Sequence, residues 1–234
     1  IALQKQIDRG GFRPLLLIRQ GLLALGFGSL LSACSVQPDL PPFSASGYIA
    51  DDGAVRMWRL NADNQPRVLM SVFSPYRSGQ QTVVTVYEYR RGQLWQIRAE
   101  YLGDNGFSEQ IRLDHEGNTI FMQRDKDGHK SPLTADEITR MTFVADRQLT
   151  LNSALVIGDI RLKQGQWRDS YVTDCQGNKS YIEFDAETEQ FLAKRQRSSA
   201  SPIYIAWLDS PEGREILLAA NDNFCKWEPT EDSL

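Results

Sequence analysis

Cysteine and histidine, whose side chains are the most reactive near neutral pH, are scarce in this 234-residue sequence, which has three cysteines and two histidines. Cys34 directly follows the small residues Ser32 and Ala33 and an apolar run at residues 21–31, with several arginines further upstream. A membrane-spanning helix needs roughly 20 apolar residues, about twice the length of this run. The order of positive charge, short apolar run, small residues and cysteine is instead typical of a secretory signal.

Residues 31–34, Leu-Ser-Ala-Cys, resemble the lipobox of bacterial lipoproteins. In that class, small side chains admit the signal peptidase, the cysteine thiol accepts diacylglycerol, and the new N-terminus is acylated. Two or more acyl chains hold a protein stably on a membrane, whereas one chain binds only weakly. The resemblance implies that residues 1–33 are a signal peptide and that Cys34 is lipidated. The alternative is a buried cysteine at the end of an ordinary core helix.

Ser35 follows the predicted lipidated cysteine. By resemblance to lipoproteins of two-membrane bacteria, serine at this position favours transport to the outer membrane, whereas aspartate favours retention in the inner one. Residues 34–46 contain three prolines, which keep a segment extended and oppose a helix. We therefore predict a lipidated, proline-rich linker at residues 34–46, followed by a single periplasm-facing domain at residues 47–234.

The charge of the predicted mature chain is negative. Residues 1–33 hold four basic and one acidic residue of the 26 basic and 30 acidic ones, so 22 and 29 remain, a net charge of −7. This balance argues against nucleic acid or anionic lipid as the main partner of the domain. The one basic run, Lys-Arg-Gln-Arg at 194–197, is interpreted as a solvated strand end or loop, with a binding patch as the alternative.

Two cysteines remain in the predicted domain, Cys175 and Cys225. In an oxidising compartment an even number of cysteines indicates a disulfide. According to the chain-entropy relation, a bond that closes the loop between these two cysteines stabilises the folded state by about 4 kcal/mol. Two unpaired thiols are the alternative. A metal site is disfavoured, because the sequence has no Cys-x-x-Cys pair and neither histidine lies near either cysteine.

Both histidines, His115 and His129, fall in predicted turns, where a solvated residue is the ordinary interpretation. The sequence contains no Gly-x-Ser-x-Gly nucleophile elbow, no Gly-x-Gly-x-x-Gly turn and no P-loop. We therefore predict no catalytic residue, no metal site and no cofactor.

Tryptophans are the stronger candidates for binding, because aromatic side chains supply much of the contact area at interfaces. Trp58, Trp95 and Trp207 lie in predicted strands and are possible binding aromatics for an acyl chain, peptide or glycan. The alternative is that they are core residues.

The elements that would position these residues are mostly strands. From residue 47, runs rich in β-branched and aromatic residues are punctuated by turns about every 8 to 12 positions, a spacing typical of all-β domains. Thr134 and Glu137 form the sequence pattern of a capping box, followed by apolar residues at helical spacing to about Leu155, with Gly158 as a stop. We predict a mainly β (α+β) fold: a curved antiparallel meander sheet or half-barrel with one helix of about 20 residues packed on it.

Several strings in the sequence carry a family resemblance. They are Gly-Tyr-Ile-Ala-Asp-Asp-Gly-Ala-Val-Arg at 47–56, Val-Phe-Ser-Pro at 72–75, Phe-Met-Gln-Arg at 121–124, Ala-Trp-Leu-Asp-Ser-Pro-Glu-Gly at 206–213 and Asn-Asp-Asn-Phe-Cys-Lys-Trp at 221–227. Together they resemble an uncharacterised gamma-proteobacterial lipoprotein family, domain of unknown function 1481 (YjaH-like). The resemblance covers nearly the whole mature chain and implies no assigned activity and no catalytic residues to carry over.

These observations support three functional hypotheses. The first is a non-enzymatic outer-membrane lipoprotein whose domain binds an envelope protein, lipid or glycan. The second is a lipid- or lipoprotein-handling module with an apolar cavity under a curved sheet, similar in architecture to the outer-membrane receptor of the lipoprotein-sorting pathway; this is a fold-level analogy. The third is an enzyme acting on envelope glycan, which requires a histidine in a cleft beside a carboxylate.

Overall fold

A computed structural model describes residues 39–226 and 228–234 of the chain. The predicted signal peptide, Cys34, Ser35 and the first part of the predicted linker lie outside the described residues. The strands are β1 (Phe43–Ala50), β2 (Gly53–Ala62), β3 (Gln65–Pro75), β4 (Thr82–Arg90), β5 (Gln93–Leu102), β6 (Phe107–Leu113), β7 (Thr119–Lys126), β8 (His129–Ser131), β9 (Arg161–Arg168), β10 (Tyr171–Asp174), β11 (Lys179–Tyr181), β12 (Ile203–Ser210) and β13 (Gly213–Ala220). The helices are α1 (Ala135–Ile157), α2 (Ala186–Ser198) and a 3-10 turn at Phe224–Lys226.

The large sheet contains β1 to β8 in chain order, with every neighbouring pair antiparallel. Short hairpin turns join these strands. Asp63 and Asn64, between β2 and β3, both adopt positive φ angles, of 52° and 56°, which suit the twist of a two-residue hairpin. The predicted antiparallel meander is confirmed. It begins at Phe43, so residues 43–46, which were assigned to the linker, belong to the first strand.

The small sheet has the order β11-β10-β9-β12-β13 and is also antiparallel. Strand β9 runs without a break from Arg161 to Arg168, and the turn after it lies at Asp169 and Ser170, both with positive φ. A second sheet was not predicted, because strand patterns do not reveal which strands pair.

Strand β2 is buried on both of its faces, which places it at the centre of the fold. On one face, Ala54 and Trp58 pack with Leu162 of β9 and Leu208 of β12, so the small sheet covers this part of the large sheet. On the other face, side chains such as Met57 pack in a second core with residues of α1. Because β2 takes part in two cores, its side chains are apolar or hydrogen-bonded in both directions.

Helix α1 confirms the predicted helix closely. The Thr134 hydroxyl accepts from the Glu137 amide and the Glu137 carboxylate accepts from the Thr134 amide, so the predicted capping box is present. The helix ends before Gly158, as predicted. Its residues Met141 and Ala145 pack on the large sheet.

Helix α2 was not predicted. The basic run at 194–197 lies in this helix, so its interpretation as a strand end or loop is wrong. Leu192 is the one fully buried side chain of α2 and packs with Trp167 and Ile205 on the outer side of the small sheet. The layer order is therefore α1, large sheet, small sheet and α2. The sheets are open and antiparallel, which confirms the predicted fold class.

The disulfide predicted from the sequence is present between Cys175 and Cys225. Cys175 lies in the turn between β10 and β11, and Cys225 lies in the 3-10 turn that follows β13. The bond therefore joins one end of the small sheet to the segment after its last strand, rather than closing a single C-terminal hairpin.

Candidate functional site

The small sheet packs against β1 to β3 and leaves the same side of β4 to β7 accessible. Four side chains cross this accessible side, one from each strand, and alternate between cation and aromatic ring. The Arg90 guanidinium carbon lies 3.5 Å from the centre of the Trp95 ring, and that of Arg112 lies 6.0 Å from Trp95 and 5.2 Å from Phe121. We call this side of β4 to β7 the ladder face. Cation–π contacts at these distances hold the four side chains in a defined row.

A β-bulge sets the position of Trp95. Glu88 of β4 pairs with Gln96 of β5, but the next residue, Tyr89, pairs with Leu94. Trp95 is thus the extra residue of a bulge, a feature that redirects a side chain relative to the regular pleat. The redirected ring lies under Arg90 and is half-buried.

A hydrogen-bonded row supports the ladder from beneath. The buried Gln96 carbonyl oxygen accepts from Arg112 Nε at 2.7 Å and from Gln110 Nε2 at 2.8 Å. The Gln96 amide group donates to Glu88, whose other carboxylate oxygen lies 3.3 Å from Arg98. Because the Gln96 side chain is satisfied at both ends, it fixes Arg112 while leaving the outward side of that guanidinium exposed.

The three tryptophans proposed as binding aromatics lie in different environments. Trp58 is 2 % exposed between the two sheets, and Trp207 is 2 % exposed between the small sheet and α2, edge-on to Phe184. Both contribute to a cavity of about 290 Å³ that is also lined by Glu228. Trp95 is the one of the three that lies on an accessible face, so a binding surface is best sought around it.

Buried polar residues bridge the two sheets. Arg56 of β2 donates to Gln164 of β9 at 2.6 Å and to Ser74 at 3.2 Å, and Gln164 in turn donates to Glu228. Burial lowers the pKa of Arg56 to about 10, while the nearby Glu228 carboxylate opposes that shift. The network supplies hydrogen-bond acceptors to the buried Arg56 guanidinium between the two sheets. We therefore interpret it as structural rather than as a binding site.

A second buried network joins α1 to the start of the large sheet. Arg59 donates to Ser153 and Asn61 at 2.7 Å each, and Asn152 of α1 donates to Ser46 of β1 at 2.9 Å. Burial lowers the pKa of Arg59. Asn61 also binds the incoming chain: its side chain and its backbone amide donate to the carbonyl oxygens of Pro41 and Pro42, both at 2.7 Å.

Two cavities bear on the lipid-handling hypothesis. Between α1 and the large sheet, a cavity of about 170 Å³ is lined by residues such as Tyr87, Ile97 and Met141, and ligand pockets usually exceed about 300 Å³. A groove of about 550 Å³ lies instead beside the incoming chain. Its lining comprises Pro41, Phe43, Ser44, Ala45, Val156, Asp159, Ile160, Arg161, Leu162 and Lys163.

Both histidines are exposed. His115 lies in the turn between β6 and β7 with Glu116 3.8 Å away, and His129 begins β8 rather than lying in a turn. Within residues 39–226 and 228–234, no cluster of three or more histidine, cysteine or acidic residues has the arrangement of a metal site. In the same part of the chain, neither helix combines the length and apolar character needed to cross a bilayer.

Comparison with known proteins places this sequence in a family. The sequence profile of the family described as "Protein of unknown function (DUF1481)" matches residues 45–230. The chain belongs to this family. The resemblance predicted from the sequence is thereby confirmed.

A curated relative, the "Uncharacterized protein YjaH" of Escherichia coli (strain K12), is 36 % identical to this chain over 226 residues. The match covers 96 % of this chain and 97 % of the relative. No solved structure matches the chain significantly.

Most residues of the ladder face in this DUF1481 member were not singled out from the sequence. Trp95 was proposed for its type alone, whereas Arg90, Arg112 and Phe121 carried no distinguishing spacing. Their strands alternate apolar and polar residues, which predicts one accessible face. The order of side chains across that face depends on strand register and on the bulge at Trp95, which no local pattern reports.

Proposed function

We propose that the chain is a lipid-anchored protein of the bacterial envelope whose ladder face binds another envelope component without transforming it. The observation that carries this proposal is the ordered row of Arg90, Trp95, Arg112 and Phe121 on an accessible sheet face. Ordered arginine and aromatic side chains lose little conformational freedom on binding and commonly dominate interfaces. The lipobox-like residues at 31–34 support the anchor.

An extended glycan is the ligand class that this face fits best. The face spans four strands, roughly 14 Å at the usual strand spacing. It combines flat ring surfaces with the amide and carboxylate groups of residues such as Gln110 and Glu100, which can exchange hydrogen bonds with hydroxyl groups. A flat, polar and open surface suits a polymer lying across the strands better than a small molecule, which usually needs a concave pocket.

The experiment is cosedimentation of the purified mature chain with insoluble cell-wall glycan. Trp95→Ala removes the central ring of the ladder, and we expect it to weaken binding at least about ten-fold. Tyr181→Ala is the matched control, because Tyr181 is an aromatic side chain, 60 % exposed, on the small sheet. Equal binding by wild type and Trp95→Ala, with unchanged circular dichroism, would contradict the proposed face. Release of soluble glycan fragments would contradict binding without turnover.

A lipid-handling module is the second candidate, favoured by the groove beside Pro41. Apolar side chains of Phe43, Val156, Ile160 and Leu162 contribute to its lining, and its volume of about 550 Å³ lies within the range of ligand pockets. A fluorescent fatty acid separates the two candidates. Saturable binding of the fatty acid, unchanged in Trp95→Ala, favours the groove. Glycan binding without fatty-acid binding favours the ladder face.

A further inference from the structure

Three arginines converge at one end of the ladder face. Arg67 lies at the start of β3, and Arg90 and Arg91 lie at the turn between β4 and β5. With Val68, Glu88, Tyr89 and Trp95 they line a cleft of about 430 Å³. Arg91 and Gly92 both adopt positive φ angles, and Gly92 lies against the side chain of Gln65, so this turn packs beside the hairpin that precedes β3.

The charge of this arginine cleft is unbalanced. Among the residues that the structure describes, no carboxylate lies within 4 Å of the guanidinium nitrogens of Arg67, Arg90 or Arg91. The one acidic lining residue, Glu88, interacts with Arg98 and Gln96 instead. All three arginines are exposed, in a predicted mature chain that carries a net charge of −7. A local concentration of one charge sign in a cleft attracts ligands of the opposite sign.

We propose that the arginine cleft binds a phosphomonoester group, carried by a sugar of the glycan that occupies the ladder face. The planar N–H fork of guanidinium matches phosphate oxygens bidentately, and three cations suit a dianion better than they suit a single carboxylate. The Arg90 guanidinium carbon lies 3.5 Å from the centre of the Trp95 ring, and this contact restricts the positions that its exposed N–H groups can take. The inference deepens the proposed function and rests on it for the identity of the polymer.

The test is titration calorimetry of the mature chain with glucosamine 6-phosphate and with unphosphorylated glucosamine. We expect the phosphorylated sugar to bind more tightly, and the double variant Arg67→Gln/Arg91→Gln to lose about ten-fold or more of that affinity. This variant leaves Arg90 and Trp95 of the ladder intact. Lys194→Gln/Arg197→Gln, which removes the same charge from α2, is the control and should bind like wild type. Equal affinity for the two sugars, or no loss in the cleft variant, would overturn the inference.

Two further arms separate the possible outcomes. If phosphatidylcholine vesicles bind only when they contain phosphatidic acid, and glucosamine 6-phosphate does not bind, a lipid headgroup replaces the sugar as the source of phosphate. If the mature chain cosediments with glycan through Trp95 without any preference for phosphate, the cleft inference fails and the proposed function stands. If glucosamine 6-phosphate binds but glycan does not cosediment, the cleft stands and the proposed function fails.

Discussion

Glu137 has two structural roles at the N-terminus of α1. Its carboxylate accepts the Thr134 amide as part of the capping box, and it also accepts from Arg124 of β7 at 2.6 Å. Arg124 reaches the buried carboxylate of Glu109 on β6 as well. The bond from Arg124 is the largest cause of a low Glu137 pKa, which is about 2 instead of the ordinary 4.5. One side chain therefore caps the helix and joins it to the sheet.

Acid sensitivity follows from this shift. A carboxylate with a depressed pKa in the folded state contributes stability that is fully present above its ordinary pKa and is lost as the pH falls towards the folded-state value. For Glu137 that window runs from 4.5 down to about 2. We expect Glu137→Gln to destabilise the protein most above pH 4.5, with the difference from wild type shrinking through the window, as measured by urea unfolding at a series of pH values.

The matched control is Glu187→Gln, an exposed glutamate in the first turn of α2. It should change the free energy of unfolding much less than Glu137→Gln at neutral pH. A Glu137→Gln variant whose deficit stays constant from pH 6 to pH 2 would show that the Arg124 contact does not contribute in this way.

Of the two roles of Glu137, the capping box could be predicted from the sequence and the contact with Arg124 could not. Thr134 and Glu137 lie three positions apart, so their reciprocal bonds follow from local helix geometry. Arg124 lies 13 positions before Glu137, and their contact exists because β7 and the start of α1 meet in space. Contacts of the second kind depend on the packing of elements, which local spacing does not encode.

The two helices differ in how strongly their sequences report them. Helix α1 has 23 residues, a capping box and apolar residues repeated along one side, and it was predicted. Helix α2 has 13 residues and one fully buried side chain, Leu192, so its apolar periodicity is weak. The sequence does contain a weaker indication of where α2 begins. Asp185 is a favourable N-cap residue, whose side chain accepts from the Thr188 amide, and Glu187 lies in the first turn, where a negative charge is favoured.

We expect the disulfide to stabilise the small sheet. Cys175 and Cys225 are separated by 50 positions and join the turn after β10 to the 3-10 turn. The chain-entropy relation predicts that the double variant Cys175→Ser/Cys225→Ser loses about 4 kcal/mol of unfolding free energy. Thermal or urea unfolding measures the loss, and reductant should lower the stability of wild type to a similar value while leaving the variant unchanged. Equal stability of oxidised wild type and variant would contradict this account.

At the scale of the whole molecule, the four layers determine which surface is accessible. The small sheet has fewer strands than the large one and covers β1 to β3, so the same side of β4 to β7 remains open as the ladder face. The β content, the antiparallel order of β1 to β8 and α1 were all predictable, because each rests on local patterns. The pairing of β9 with β12 was not, since β10, β11 and α2 lie between them in sequence.

The proposed attachment to a membrane would also be a property of the whole molecule. We expect Cys34→Ser to shift the protein from the membrane fraction to the soluble envelope fraction, because the thiol would no longer carry lipid. Ser35→Asp should keep the lipidation but move the protein from the outer to the inner membrane, as density-gradient fractionation would show. Gln37→Asp, which adds the same charge beyond the sorting position and before the first strand, is the control. A Cys34→Ser protein that stays with the membrane would contradict the anchor.

The two hydrogen bonds from Asn61 have a mechanical consequence. They hold the carbonyl oxygens of Pro41 and Pro42 just before β1 pairs with β2. A force that pulls the preceding chain away from β2 acts on these two bonds first. The backbone hydrogen bonds between β1 and β2 bear the force only after these two bonds have broken. The two bonds from Asn61 would therefore resist a force that separates the edge strand β1 from β2, starting at its first residue.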